Sequence, residues 1–198
     1  RLSTSSNNTA VGHYAASGST SGTRVIAVGG GTVSATNTGS FLVAIGHSAL
    51  GANTSGGYNV AVGDSALISN TTGASNVAVG HQSLDANTTA SNNTAVGYAS
   101  LGANTTGTQN AAVGAEALDA NTTGNTNAAL GIGSLGQNTT GDDNTAVGAF
   151  ALTANTTASN NTAIGKFALL ANTTGAFNTA VGALAGDAIT TGPYNTAF

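Results

Sequence analysis

Hydrophobic residues recur along this chain every 17 residues, and they occupy two fixed places in each period. The first place is an Ala-Val-Gly run, as at 95–97, and the second is a leucine such as Leu101. Asn, Thr, Ser and Gly fill the segments between them, and the glycine recurs from Gly12 to Gly182 without an insertion. An unbroken period of this length is typical of a solenoid, in which each coil contacts only its neighbours.

The repeat reads Asn-Thr-Ala-Val-Gly-x-x-Ala-Leu-x-Ala-Asn-Thr-Thr-Gly-x-x, and it predicts two short strands in each coil. It shows no helical period, and the single proline stands at Pro193. Glycine and asparagine mark the corners between the strands. The sequence therefore predicts an all-β, parallel β-solenoid of about 11–12 coils.

The alanine of the first strand and the aliphatic residue beside it must lie on different faces, because successive strand side chains point in opposite directions. The alanine never varies from Ala10 to Ala197, which predicts a face buried against something close, such as another chain. The aliphatic residue and the leucine are expected to fill the core of the coil. These interface and core ladders comprise Ala95, Ala112, Ala129, Ala146, Val96, Val113, Val147, Leu101, Leu118 and Leu152.

The repeat covers the whole chain, so 1–198 is predicted to be one repeat domain, degenerate at about 1–46 and regular at about 47–198. Each coil offers one leucine, one other large aliphatic residue and a few alanines, which is a thin core for a monomer. We therefore expect several chains to pack together. The chain lacks an initial Met and ends within a repeat, so we expect it to be a fragment of a longer protein.

Charged residues are rare, with three Lys or Arg and seven Asp or Glu in the whole chain. Phosphate binding needs clustered cations, so no nucleic-acid partner is expected. No apolar run approaches the ~20 residues that span a bilayer, so membrane insertion is not expected. Cysteine is absent, which excludes disulfides and thiolate metal sites. We also expect no cofactor.

The Asn-Thr-Ala-Val-Gly run followed by Ala-Leu resembles the heads of YadA-type trimeric autotransporter adhesins, with the nearest match, Leu-Val-Ala-Ile-Gly-His-Ser-Ala, at 42–49. The 17-residue form with its Asn-Thr-Thr-Gly corner is similar to repeats of phage tail fibres and large bacterial surface proteins. The resemblance implies a left-handed β-roll and a homotrimer on a cell or virion surface. It also implies a shaft or head that attaches to a surface glycan or protein receptor without catalysis. The adhesin heads use shorter coils, so a larger corner is expected here.

Two other functions compete with the fibre interpretation. An ice-binding β-solenoid is one, because threonines recur at regular spacing beside the corner. They are Thr88, Thr105, Thr122, Thr139, Thr156 and Thr173. The other is a self-assembling extracellular surface filament whose coils join head to tail.

Three residues in one repeat slot, His47, Asp64 and His81, form a candidate metal or proton-transfer site. At ~4.8 Å per coil they would align within about 10 Å. The same slot holds Tyr98, Ala115 and other unrelated residues, so a solvated face is the favoured interpretation.

Aromatic residues concentrate beside the corners and are candidates for contact with a receptor or between chains. They are Tyr58, Tyr98, Phe150, Phe167 and Phe177. The Asn-Thr-Thr runs are also glycosylation sequons, although a structural ladder is the favoured interpretation. Their asparagines are Asn70, Asn87, Asn104, Asn121, Asn138, Asn155 and Asn172.

No enzyme is predicted. The Gly-x-Gly-x-x-Gly pattern at 131–136 matches a dinucleotide fingerprint, but its first glycine already belongs to the repeat. Asp142 and Asp143 could form a glycosidase pair, yet they occupy a variable corner position.

Overall fold

The structure, a computed structural model, describes residues 6–198 and consists of coils that each contribute one short strand. The twelve strands form a single parallel sheet in chain order. They are β1 (Thr9–Val11), β2 (Val25–Val28), β3 (Leu42–Ile45), β4 (Val60–Val62), β5 (Val77–Val79), β6 (Thr94–Val96), β7 (Ala111–Val113), β8 (Ala128–Leu130), β9 (Thr145–Val147), β10 (Thr162–Ile164), β11 (Thr179–Val181) and β12 (Thr196–Ala197). Neighbouring strands pair at the sequence period, as Ala95 with Ala112. The predicted all-β parallel solenoid is confirmed.

The second strand expected in each coil does not form, and that prediction was wrong. The leucine expected in it holds a left-handed backbone instead, with φ of 54° at Leu101 and 55° at Leu118. Its amide still bonds to the next coil, since Leu101 N donates to Ala117 O at 2.9 Å. A left-handed residue costs about 1–2 kcal/mol, which burial of a leucine, worth about 1.5–3 kcal/mol, offsets.

The interior of the coil is lined by the alanine and leucine ladders, while the aliphatic ladder faces outward. Ala112 and Leu118 are fully buried and belong to one core cluster, whereas Val113 is 38% exposed. The leucine ladder therefore lies in the core as predicted, and the alanine ladder is buried as predicted, but within its own chain; the prediction that the aliphatic ladder fills the core was wrong. Ala95, Ala112, Ala129 and Ala146 pack inside their own chain, and Val96, Val113 and Val147 lie outside the core. Alanine is uniform because the strand packs closely against the leucine turn of the same narrow coil.

Two columns of buried asparagines hold the corners. In the first, Asn104 Nδ2 donates to Asn87 Oδ1 at 3.1 Å and to Gly107 O at 2.9 Å. In the second, Asn110 N donates to Asn93 Oδ1 at 2.9 Å, and Asn110 Nδ2 donates to the corner carbonyl of the next coil. Buried polar groups are tolerated when they are paired in this way. The ladders therefore supplement the thin apolar core.

The invariant glycine after each strand is fixed by the close approach of the next coil. Gly97 has φ of +134°, and a Cβ there would lie 2.5 Å from the carbonyl oxygen of Gly114. No other residue fits that contact. This explains why the glycine recurs without exception.

Candidate functional site

The outward side chains of the strands form a continuous surface, which we call the outer sheet face. In β2 to β11 it comprises Ile26, Val28, Val43, Ile45, Val60, Val62, Val77, Val79, Thr94, Val96, Ala111, Val113, Ala128, Leu130, Thr145, Val147, Thr162, Ile164, Thr179 and Val181. Each strand contributes two of them, one before and one after the buried alanine. Ten strands spaced ~4.8 Å apart give a face about 43 Å long and about 10 Å wide.

The outer sheet face is uncharged, largely apolar and solvent-accessible, and its polar members are Thr94, Thr145, Thr162 and Thr179. None of its positions carries a charged side chain, and Ile45, Leu130 and Ile164 are 40%, 51% and 40% exposed. Its projected area of roughly 400 Å² lies within the range of the largest patches found on monomeric proteins, which are often functional.

The structure brings the candidate residues His47, Asp64 and His81 together. Asp64 Oδ1 lies 3.1 Å from His47 Nδ1, and Asp64 Oδ2 lies 3.3 Å from His81 Nε2. All three side chains are about half exposed or more. Between residues 6 and 198, no group of three or more His, Cys, Asp or Glu side chains is arranged to hold a metal ion. Both carboxylate oxygens face histidines, so the arrangement is an exposed His47–Asp64–His81 column.

The sequon asparagines lie in the first buried column. Asn121 Nδ2, for example, donates to Asn104 Oδ1 at 2.9 Å and to Gly124 O at 3.0 Å. The members expected from the sequence are all fully buried: Asn70, Asn87, Asn104, Asn121, Asn138, Asn155 and Asn172. A glycan on one of these amides would displace it from the interior, so the folded coil offers no accessible acceptor there.

The threonine column next to these asparagines uses its hydroxyls within the protein. Thr105 Oγ1 donates to Thr122 O at 3.0 Å, and Thr122 Oγ1 donates to Thr139 O at 3.1 Å. The same bond recurs for Thr88, Thr139, Thr156 and Thr173. These half-buried hydroxyls tie coils together and are not a free array.

The five candidate aromatic residues all lie in stacks that run between adjacent coils. Tyr58 stacks on Phe41 with ring centroids 4.7 Å apart, and Phe177 stacks on Tyr194 at 5.1 Å. Phe150 and Phe167 stack at 5.8 Å. The ring of Tyr98 stacks on the imidazole of His81. Stacking keeps these exposed rings in fixed orientations.

The two motifs judged incidental have structural explanations. Residues 131–136 contain a strand-end glycine followed by turns, and no helix follows, so the dinucleotide arrangement does not form. Asp142 Oδ1 accepts a hydrogen bond from the Asn125 amide at 2.6 Å, which joins neighbouring corners.

A cavity of about 270 Å³ was not anticipated from the sequence. We call it the Phe150 notch, and it is lined by Glu116, Asp119, Gly133, Gly136, Gln137, Phe150 and Thr153. An alignment of the sequence at 17-residue intervals would have revealed it. Two glycines of one coil align there with larger side chains in the coils before and after it.

Comparisons with models of known protein families, with curated proteins and with solved structures found no match for this chain. Within residues 6–198, no helix has the length and apolar character needed to cross a membrane.

Proposed function

We propose that this chain is a structural segment, a shaft or head, of an extracellular trimeric fibre on a bacterial or viral surface. The observation that carries the proposal is the outer sheet face, where the outward position after the alanine is Val, Ile or Leu in every strand from β2 to β11 and the one before it is uncharged throughout. A surface with such a regular aliphatic column suits contact with an equally regular surface, and a second copy of the chain provides one.

Three copies are proposed because the repeat resembles trimeric adhesin heads and because each coil has one largely apolar side. Three such sides can meet around an axis parallel to the stack of coils. This closed arrangement covers every outer sheet face and leaves none free for further lateral association.

Attachment to a receptor would use the other sides of the coils. The stacked rings are exposed there, with Tyr58 at 62% and Phe177 at 49% of their surface accessible. Rigid aromatic rings make large contacts at low entropic cost and suit glycan or protein partners. The proposal therefore separates assembly on the outer sheet face from recognition on the turns.

The test is light scattering of the chain and of two double variants. Val113→Lys with Val147→Lys places charges on the outer sheet face, while Ala115→Lys with Ala149→Lys places them on the turns of the same coils. Wild type and the turn variant should be trimers, and the sheet variant should be a folded monomer by circular dichroism. A monomeric wild type, or dissociation of both variants alike, would contradict the proposal.

Ice binding is a second candidate, favoured by one observation on the same face. Three successive strands each carry an outward Thr and an outward aliphatic residue: Thr145 and Val147 in β9, Thr162 and Ile164 in β10, and Thr179 and Val181 in β11. A Thr array must be exposed to contact ice, so this function requires the outer sheet face to be uncovered. An ice-recrystallisation assay of wild type and Thr162→Lys distinguishes the two: inhibition lost in the variant would favour ice binding over the fibre.

A further inference from the structure

The Phe150 notch arises because one coil departs from its neighbours at several outward positions together. Gly133 and Gly136 leave a gap between Glu116 and Asp119 in the preceding coil and Phe150 and Thr153 in the following one. In the same coil, Gln137 replaces the alanine found in both adjacent coils, Ala120 and Ala154. The repeat itself does not produce this cavity.

Phe150 forms one wall of the notch. Its ring stacks on Phe167 of the following coil, so its other face is directed towards the coil of Gly133. A Cβ on Gly133 would lie 2.7 Å from Cδ1 and Cε1 of Phe150. Only glycine at 133 lets the ring lie in this position, so the gap and the ring depend on each other.

The opposite wall carries uncompensated negative charge. Within residues 6–198, neither Glu116 nor Asp119 has an ion-pair partner. Burial raises the pKa of Asp119, and the charges of Glu116 and Asp85 raise it further. On the side of Asp119 away from the notch, its Oδ1 atom and that of Asp85 approach each other at Gly102, where a Cβ would lie 3.0 Å and 3.5 Å from them. A cation in the notch would relieve this repulsion, whereas a neutral ligand would not.

The remaining polar side chains of the notch are able to accept hydrogen bonds. Thr153 Oγ1 donates its proton to Gly133 O, which leaves its lone pairs for a donor. Gln137 is exposed and its side-chain carbonyl is an acceptor. The chain already pairs its own cations with rings, since Arg24 and Lys166 each lie 4.8 Å from the centroid of a phenylalanine ring.

We propose that the Phe150 notch binds an organic cation, namely an ammonium or guanidinium group held between the Phe150 ring and the carboxylates of Glu116 and Asp119. Two coil spacings, about 9.6 Å, separate the backbones that carry Glu116 and Phe150. A cation midway lies within the ~6 Å over which a ring attracts it and close enough to pair with a carboxylate. The volume suits a side-chain-sized group rather than an oligosaccharide.

This inference is independent of the proposed function. The notch belongs to the turns and contains no residue of the outer sheet face, so it exists in a monomer and in an assembly. The same cation chemistry is offered by a free amine and by a Lys or Arg side chain of a partner protein.

The experiment is an NMR titration of the intact chain with tetramethylammonium, with arginine amide and with a short lysine-containing peptide. We expect amide shifts confined to residues 116–119, 133–137 and 150–153. A much tighter peptide affinity would identify a protein side chain as the source, and similar affinities would identify a free amine. Glucose and calcium chloride serve as the neutral and inorganic probes.

The variants follow substitutions that the repeat already contains. Phe150→Leu and Glu116→Gln should each weaken cation binding roughly tenfold. Both substitutions are compatible with the fold, because the same repeat position holds Leu184 and Gln82 in other coils, with φ of 62° and 56°. Gly136→Leu should abolish binding by filling the notch. Gly51→Leu, at the equivalent position of another coil, should leave binding unchanged.

Three results would overturn the inference. One is the absence of shifts with every organic cation. Another is a response of the same amides to glucose or calcium but not to the organic cations. The third is cation affinity that is equal in wild type, Phe150→Leu and Glu116→Gln.

Discussion

The outer sheet face and the turns are built from the same repeat, yet they vary in opposite ways. Along the outer sheet face, the position that holds Val96 is filled by a Val, Ile or Leu side chain in every coil from β1 to β11. In the turns, the position of Phe150 is taken by Glu116 and Gly133 in the two preceding coils. Repetition therefore creates an extended, largely apolar surface, while departures from it in single coils create local features such as the Phe150 notch.

The largest stability effect is expected where the polar ladders are broken. Asn121→Ala removes the donor to Asn104 Oδ1 and the acceptor for Asn138 Nδ2 inside the corner. Each buried group left unpaired costs about 1–3 kcal/mol. Thermal unfolding should show a clear loss of stability for Asn121→Ala and almost none for Gln137→Ala, which removes an exposed amide at a position that holds alanine in both adjacent coils. Equal losses would mean that the buried column contributes little.

The next largest effect on stability is expected when an inward strand position and a turn position of the same coil are enlarged in the same way. Ala112→Leu overpacks the fully buried alanine position and should cost about 1–3 kcal/mol. Ala115→Leu lies in a turn position that accepts Ile132 in the following coil and should be almost neutral. Chemical denaturation of both variants measures the difference. If the two were equally stable, the inward orientation of the alanine ladder would be wrong.

A smaller effect concerns charge at the Phe150 notch and depends on pH. Burial and the neighbouring Glu116 raise the pKa of Asp119 above 3.8, so the folded state binds the proton more tightly than the unfolded state. The free energy of unfolding therefore falls as the pH rises through the interval between 3.8 and the raised pKa. Asp119→Asn should raise the melting temperature at pH 7 and leave it unchanged well below that interval. A lower melting temperature at pH 7 would contradict this assignment.

The smallest effect on stability is expected at the exposed His47–Asp64–His81 column. Asp64→Asn removes the charge facing His47 and His81, whose side chains are largely solvated. Exposed pairs contribute about 0–1 kcal/mol, so the melting temperature should barely change. A large loss of stability, or a stabilising response of wild type to zinc, would show that the column does more than pair charges.

The sequence predicts the fold well because the 17-residue period fixes which residues lie side by side in the sheet. The sequence does not show which face of the strand lies inside. Alternating side chains must point to opposite faces, but the alternation alone does not show which of the two faces is buried. Uniform alanine correctly indicates a close contact, but the partner is the leucine turn of the same chain. The leucine backbone was mispredicted because spacing alone does not distinguish a short strand from a left-handed turn. The notch emerges only when coils are compared position by position.

Trimer formation through the outer sheet face is tested by the mass of the unmodified chain, measured by light scattering over a wide range of concentrations. We expect a trimer whose mass does not change with concentration, because in the proposed assembly three outer sheet faces cover one another. A chain that stays monomeric throughout would leave that face exposed and would rule out the proposed trimer.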